Sequence, residues 1–394
     1  MKKIKLFTLA VLGAATVGFA SCSQEDTEAA SNNQNIRKNA IAFNVLGTQQ
    51  KGTRGTAITT DNYLSQISTF SVWSYTGDSP YENYFGIFDD KTDKNVGVDI
   101  NGDGKGNWSF ANPEEQAYWP TGNEHLGFYA ITNSKHRLYN TNFYQNVINE
   151  YSIPGMVYIV PREVENQEDV MYAATSSDLT ATSNAGTVPL LFKHALAQIA
   201  FKAKTSNSKF NVEIQSITLH NIYSRMFISP LGIDAVNGIY TLDVNNYSVG
   251  LASPVTFGYA SGTVDANDVD GAMLLAPQIA CGINGTKSNA NMGTPWATTE
   301  SAPVTIETAD ANKQQYIEVK CKIKFGNVYL VGSESSYGTT YIPITTNWQS
   351  GKRYVYTLDF AGGGYKDDGT PMLKPIKYTV KVTDWTDSSS ILSM

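Results

Sequence analysis

Ile317-Glu318-Val319-Lys320-Cys321-Lys322-Ile323-Lys324-Phe325 alternates apolar and charged side chains without a break. A strand turns successive side chains to opposite faces, so this segment offers one face to a core and one to water. The same period of two recurs in Ile41, Phe43 and Val45, separated by Ala42 and Asn44. It appears again in Ile376, Tyr378, Val380 and Val382, separated by Lys377, Thr379 and Lys381. Further strand-like runs are Ile67 to Tyr75, Phe128 to Thr132, Leu196 to Ala203, Val212 to Ile222, Ala272 to Ile279 and Arg353 to Phe360, divided by clusters of Gly, Asn, Asp and Ser. No segment carries a sustained, capped helical pattern. Each strand must hide one face against a second sheet, so the expected class is all-β, built as antiparallel sandwiches. With 394 residues there is chain enough for two of them. The polar run Ala173 to Thr187 is the weakest central stretch. It predicts an N-terminal sandwich over residues 39–186 and a C-terminal one over 187–394, with a latitude of about ten residues. No repeat of fixed period is visible, which excludes solenoids and propellers.

The composition fits this reading. The 23 Tyr and 32 Gly, with only 16% charged residues, suit a surface β protein better than a helical cytosolic enzyme. Lys and Arg number 29 against 36 Asp and Glu, and the net charge of −7 repels phosphate backbones. Nucleic acid is therefore not an expected partner.

Residues 1–21 read as a lipoprotein signal peptide. Lys2, Lys3 and Lys5 form a basic start, Leu6 to Ala20 an apolar run, and Phe19-Ala20-Ser21 leads into Cys22, whose thiol can carry a diacylglycerol. The run is too short and too abruptly followed by polar residues for a mature membrane span. A chance cysteine at this position is the alternative. Residues 22–38, opening with Glu25, Asp26 and Glu28, have too few apolar side chains to pack and read as a flexible acidic tether.

Little in the chain points to catalysis. His125, His136, His194 and His220 show no metal-ligand spacing, and the motifs for zinc hydrolysis, serine acyl transfer, phosphate cradling and thiol redox chemistry do not occur. Two carboxylates for glycoside hydrolysis remain an open alternative that no sequence excludes. No cofactor is expected. Asp99, Asn101, Asp103 and Gly104 reproduce the opening of a calcium loop, but the twelfth position holds Phe110, and a tight hairpin selects the same residues. Cys281 and Cys321 both fall on the apolar phase of their runs, as buried thiols or as a disulfide. Trp73, Tyr75, Tyr118, Trp119, Trp348 and Trp385 could stack on sugars or fill cores.

Several pieces in this order resemble the fimbrillin family of Bacteroides and Porphyromonas. They are the lipoprotein start, the strand at Ala40 to Leu46 followed by Thr53-Arg54-Gly55, Tyr118-Trp119-Pro120, Phe128-Tyr129-Ala130, Asp169-Val170-Met171-Tyr172-Ala173, Leu191-Phe192-Lys193-His194-Ala195-Leu196, and the closing Val382-Thr383-Asp384-Trp385. The resemblance implies two transthyretin-like β-sandwiches in tandem. It also implies a subunit of a cell-surface pilus, carried as a lipoprotein to the outer face of the outer membrane, with other fimbrial subunits as partners. An Arg-specific cut at Arg54-Gly55 would then free the first strand, with Ile41, Phe43 and Val45, for exchange against a strand from a neighbour. The candidate donor is Ile376 to Trp385, through Ile376, Tyr378, Val380, Val382 and Trp385. Only Thr386 to Met394 follow it, so the chain could equally be an anchor or tip subunit, and the segment simply the last strand of its own sandwich. The rival reading is a monomeric surface lipoprotein that binds glycans or host proteins.

Overall fold

The computed structural model describes residues 39–46, 67–76, 83–89, 94–122, 124–132, 156–229, 232–234, 244–266, 272–279, 305–311, 314–344 and 346–384. The expected class is what it shows: sheets packed face to face, and one helical turn and a half at Ile306–Ala311 that the sequence periodicity is too short to reveal.

The strands of the N-terminal half include β1 (Ala42–Leu46), β2 (Thr69–Thr76), β3 (Val98–Gly102), β4 (Trp108–Phe110), β5 (Leu126–Thr132), β6 (Met156–Ile159), β7 (Met171–Ala174), β8 (Thr187–Leu191) and β9 (Lys193–His194), besides three short strands between Asn83 and Val96. One sheet runs in the order β9-β7-β5-β2-β3-β4. Its inner face contributes Phe70, Val72, Ile100, Phe110, Phe128 and Ala130 to a core whose other wall is the two-stranded pair β1-β8. Every residue of β5 is buried, because both faces of this sheet are covered. The second face presents Trp73, Tyr129 and Ile131 to the core of the C-terminal half, and the Tyr129 hydroxyl donates to the Ile228 carbonyl at 2.7 Å.

The C-terminal half is built from β10 (Ala197–Lys204), β11 (Phe210–Tyr223), β12 (Arg225–Ser229), β13 (Val244–Gly258), β14 (Met273–Leu275), β15 (Tyr316–Phe325), β16 (Val328–Val331), β17 (Gly338–Pro343), β18 (Lys352–Asp359), β19 (Gly363–Tyr365), β20 (Pro371–Leu373) and β21 (Lys377–Asp384). One sheet carries β10-β18-β21 with β14 on the far side of β10, and the facing sheet runs β13-β11-β15-β17-β19-β20 with β16 beside β15. On β15 the alternation is literal: Ile317, Val319, Cys321 and Ile323 are fully buried, while the charged residues between them face outward.

Two pairings depart from the antiparallel expectation: β1 joins β8 in parallel, and β10 joins β18 in parallel. Parallel neighbours need long crossovers, and here whole layers of structure lie between the paired segments in the chain. Strand pairing crosses between the halves twice: β6 joins β12 of the C-terminal half, and after β8 and β9 have paired with N-terminal strands the chain passes to C-terminal ones between His194 and Ala197. That point is pinned from both sides. Ala195 N–H donates to the Val170 carbonyl at 2.8 Å, Ser350 Oγ to the His194 carbonyl at 2.6 Å, and Gly351 N–H to the Leu196 carbonyl at 2.9 Å. Beside it Asp169 and His194, both buried, meet at 2.9 Å through Nδ1.

Candidate functional site: the first strand and its groove

β1 is a short strand held chiefly by one face. Ile41, Phe43 and Val45 retain 2%, 6% and 3% of their surface, while Ala42, Asn44 and Leu46 between them are exposed. The Phe43 ring sits at the centre of an aromatic cluster, 5.9 Å from Phe70, 5.8 Å from Phe110 and 6.2 Å from Phe128 between centroids. Burial of three such side chains is worth about 5 to 9 kcal/mol by area. Val188 and Leu190 of β8 line the same groove.

The backbone of β1 is bonded unevenly. Along one edge it forms a continuous ladder with β8, from Ala42 opposite Thr187 to Leu46 opposite Leu191. Along the other, what ties it down among the described residues lies at its start. Ala40 bridges Tyr118, Ile41 N–H donates to the Ala117 carbonyl at 2.9 Å, and Gln116 Nε2 donates to the Ile41 carbonyl at 3.2 Å. A groove emptied of β1 would expose the N–H and C=O groups of β8 together with a wall of Phe and Leu side chains. Both call for a replacement strand.

The candidate donor has the opposite character. β21 pairs with β18 over all eight residues and ends the sheet, so its other edge meets no strand among the described residues. Tyr378, Val380 and Val382 lie on the face shared with Leu358, Tyr356 and Tyr354 of β18, which are buried, yet Val380 is 36% and Val382 52% exposed. The apolar face of β21 therefore overhangs the core it belongs to. Ile376 is buried just ahead of the strand. Cys22, Arg54, Gly55 and Trp385 lie outside the described residues.

The other sequence candidates have been given ordinary work. Asp99 sits within β3 and accepts a hydrogen bond from Ser71 Oγ at 2.7 Å. The Asp103 carboxylate is taken up by the β3–β4 turn, accepting from the N–H groups of Lys105 at 2.7 Å and Asn107 at 3.1 Å and from Asn107 Nδ2 at 2.6 Å. Those bonds hold its carboxyl below the usual range. Gly104 and Gly106 supply the positive φ that the turn requires. Asp99, Asn101 and Asp103 are thus strung along a strand and its turn, and no group of three His, Cys, Asp or Glu among the described residues is placed to hold a metal. Cys321 is fully buried and its thiol is pushed up by burial; Cys281 lies outside the described residues. Trp73, Trp119 and Trp348 are core residues, whereas Tyr118 is 39% exposed.

Sequence reasoning did not foresee the Asp169–His194 pair. Asp169 closes the polar run Asn166-Gln167-Glu168 and His194 follows Lys193, so each stands beside a polar neighbour and carries no sequence signal of burial. His220 is likewise spoken for, 3.2 Å from Glu318 and stacked on Tyr316 with centroids 4.5 Å apart.

Among solved structures, a fimbrial protein from Bacteroides vulgatus superposes with a TM-score of 0.56 at 13% identity, covering 88% of this chain and 100% of its own. A putative cell adhesion protein from Parabacteroides distasonis reaches a TM-score of 0.49 at 10% identity, covering 90% and 99%. A fimbrilin from Porphyromonas gingivalis reaches 0.39 at 13% identity, covering 89% and 98%. The first of these carries the likeness of fold. No curated protein matches the chain in sequence. The family model described as fimbrillin-like matches residues 53–385, which takes in both halves of the molecule and leaves β1 outside. On that match, the chain belongs to the fimbrillin-like family.

Proposed function

We propose that the protein is a structural subunit of adhesive cell-surface fimbriae, delivered as a lipoprotein on Cys22 and joined to its neighbours by exchange of β1. The observation that carries this reading is the construction of β1. It is buried through Ile41, Phe43 and Val45 and, among the described residues, bonded along one full edge, so it can leave as a unit. The cut that releases it is Arg54-Gly55, and the family match that opens at residue 53 supports a natural division of the chain there. The donor is β21 of another copy. Its Tyr378, Val380 and Val382 have the alternation of Ile41, Phe43 and Val45, and its exposed valines gain cover on moving into a groove. Emptying the groove costs several kcal/mol that the incoming strand restores, which drives assembly forward. No residue is assigned a catalytic role.

Limited digestion of the full chain with an Arg-specific protease tests the reading. The parent should give a ladder of oligomers that resists mild detergent, with Gly55 as the new N-terminus, while Arg54→Ala stays a stable monomer. Polymer formation by Arg54→Ala at the parental rate removes the assigned cut.

A further inference from the structure

The outward face of β15 bears a row of positive charge that strand exchange does not use. Lys320, Lys322 and Lys324 alternate along one strand and so stand about 6.8 Å apart on one face. Lys209 lies beside the end of the row, where Gly326 N–H donates to the Lys209 carbonyl at 2.9 Å and the Lys209 ammonium reaches over the edge of the sheet to the Phe325 ring. Three of the four ammonium groups are seated on rings: Lys322 Nζ lies 4.5 Å from the Tyr337 centroid, Lys324 Nζ 4.7 Å from Tyr329, and Lys209 Nζ 5.5 Å from Phe325. Cation–π contacts of this kind restrain long side chains that would otherwise lose rotamer freedom on binding.

The acids facing the row are few. Glu213, opposite Lys322, lies 3.5 Å from its Nζ and also accepts from the Tyr337 hydroxyl, while Glu318 at the far end is engaged by His220. The remaining cross-strand neighbours are neutral: Asn211 opposite Lys324, and Ser216 and Thr339 opposite Lys320. Four cations against two acids, one of them also engaged by His220, leave a net positive strip on a chain whose overall charge is −7.

We infer that this strip, Lys209 with Lys320, Lys322 and Lys324, is a docking surface for an anionic polysaccharide. Charge on an exposed face is felt over about 8 Å at physiological ionic strength, so the strip acts only on a partner that lies along it. A thin, flexible polyanion can do so while staying clear of the acidic remainder; a broad, rigid duplex cannot. With the lysines resting on their rings, the ring faces are not free to stack nucleobases, which favours sugar acids or sulfated sugars over single-stranded nucleic acid.

Fluorescent dextran sulfate is the probe, titrated into the full-length protein, with uncharged dextran and a single-stranded oligodeoxynucleotide alongside. The triple variant Lys209→Gln, Lys320→Gln, Lys324→Gln should bind dextran sulfate at least about tenfold more weakly and with a flatter salt dependence, at an unchanged melting temperature. The double variant Lys377→Gln, Lys381→Gln, which removes exposed lysines from β21, should bind like the parent. The inference is overturned if the triple variant binds like the parent, if the β21 variant loses as much, if uncharged dextran binds as well as dextran sulfate, or if the oligonucleotide binds as tightly as the polysaccharide.

Discussion

β1 and β21 are the first and last strands described, and they are held in contrary ways. β1 has five residues, three of them anchored in an aromatic core, and an incomplete set of backbone partners on one edge. β21 has eight residues in an unbroken ladder, but its apolar side chains are half in water. Side chains hold the first strand and main-chain hydrogen bonds hold the last. Apolar burial contributes kilocalories per residue, whereas a backbone bond exchanged with water contributes about one or less.

The largest effect should come from charging the two strands in turn. Phe43→Asp places a carboxylate among Phe70, Phe110 and Phe128 and should destabilise the uncut protein by about 4 kcal/mol or more, read from the urea midpoint. Val382→Asp, on a side chain 52% exposed, should cost less than about 1 kcal/mol. Equal losses would erase the distinction drawn above.

A second comparison sets polar contacts side by side. Asp169→Ala should cost about 3 kcal/mol, because it strands the buried imidazole of His194 where the two halves meet. Asp384→Ala removes the exposed partner of Lys352 at the end of β21 and should leave the midpoint within error. The smallest effect is one of pH. Burial first, and then the carboxylates of Asp367, Glu318 and Asp310, push the Tyr341 phenol up to about 12. The unfolded chain releases that proton near pH 10, so the contribution is whole below about pH 10 and is lost as pH rises towards 12. Tyr341→Phe should therefore soften the fall of Tm between about pH 10 and 12 and leave the slope of the curve below about pH 9 unchanged.

What could be read from the sequence follows from which faces meet water. β15 is legible residue by residue because one side is wet, and Ile41, Phe43 and Val45 are legible for the same reason. In β5 both sides are dry, so its pattern reveals a strand but not which of its faces meets which half. The pairing of β1 with β8 is illegible, since 145 positions separate Ala42 from Thr187 and a ladder leaves no mark on the side chains it joins. The two strands at the end of the polar run return to the first sheet system before the chain moves on, which composition alone does not register. Asp103 shows the reverse failure: a turn and a calcium loop ask for the same residues, and only the hydrogen bonds tell them apart.

The ladder between β1 and β8 runs with both chains pointing the same way, and such a ladder has an arrow. A newcomer that reproduces the pairing of β1 enters beside Tyr118 and leaves beside Leu191. Every link made through this groove would then be laid down with the same orientation. Under the proposed exchange, a filament of such subunits would have two unlike ends, one offering an unfilled slot and the other an unspent strand, and it would stay open wherever the rotation between subunits does not close a ring.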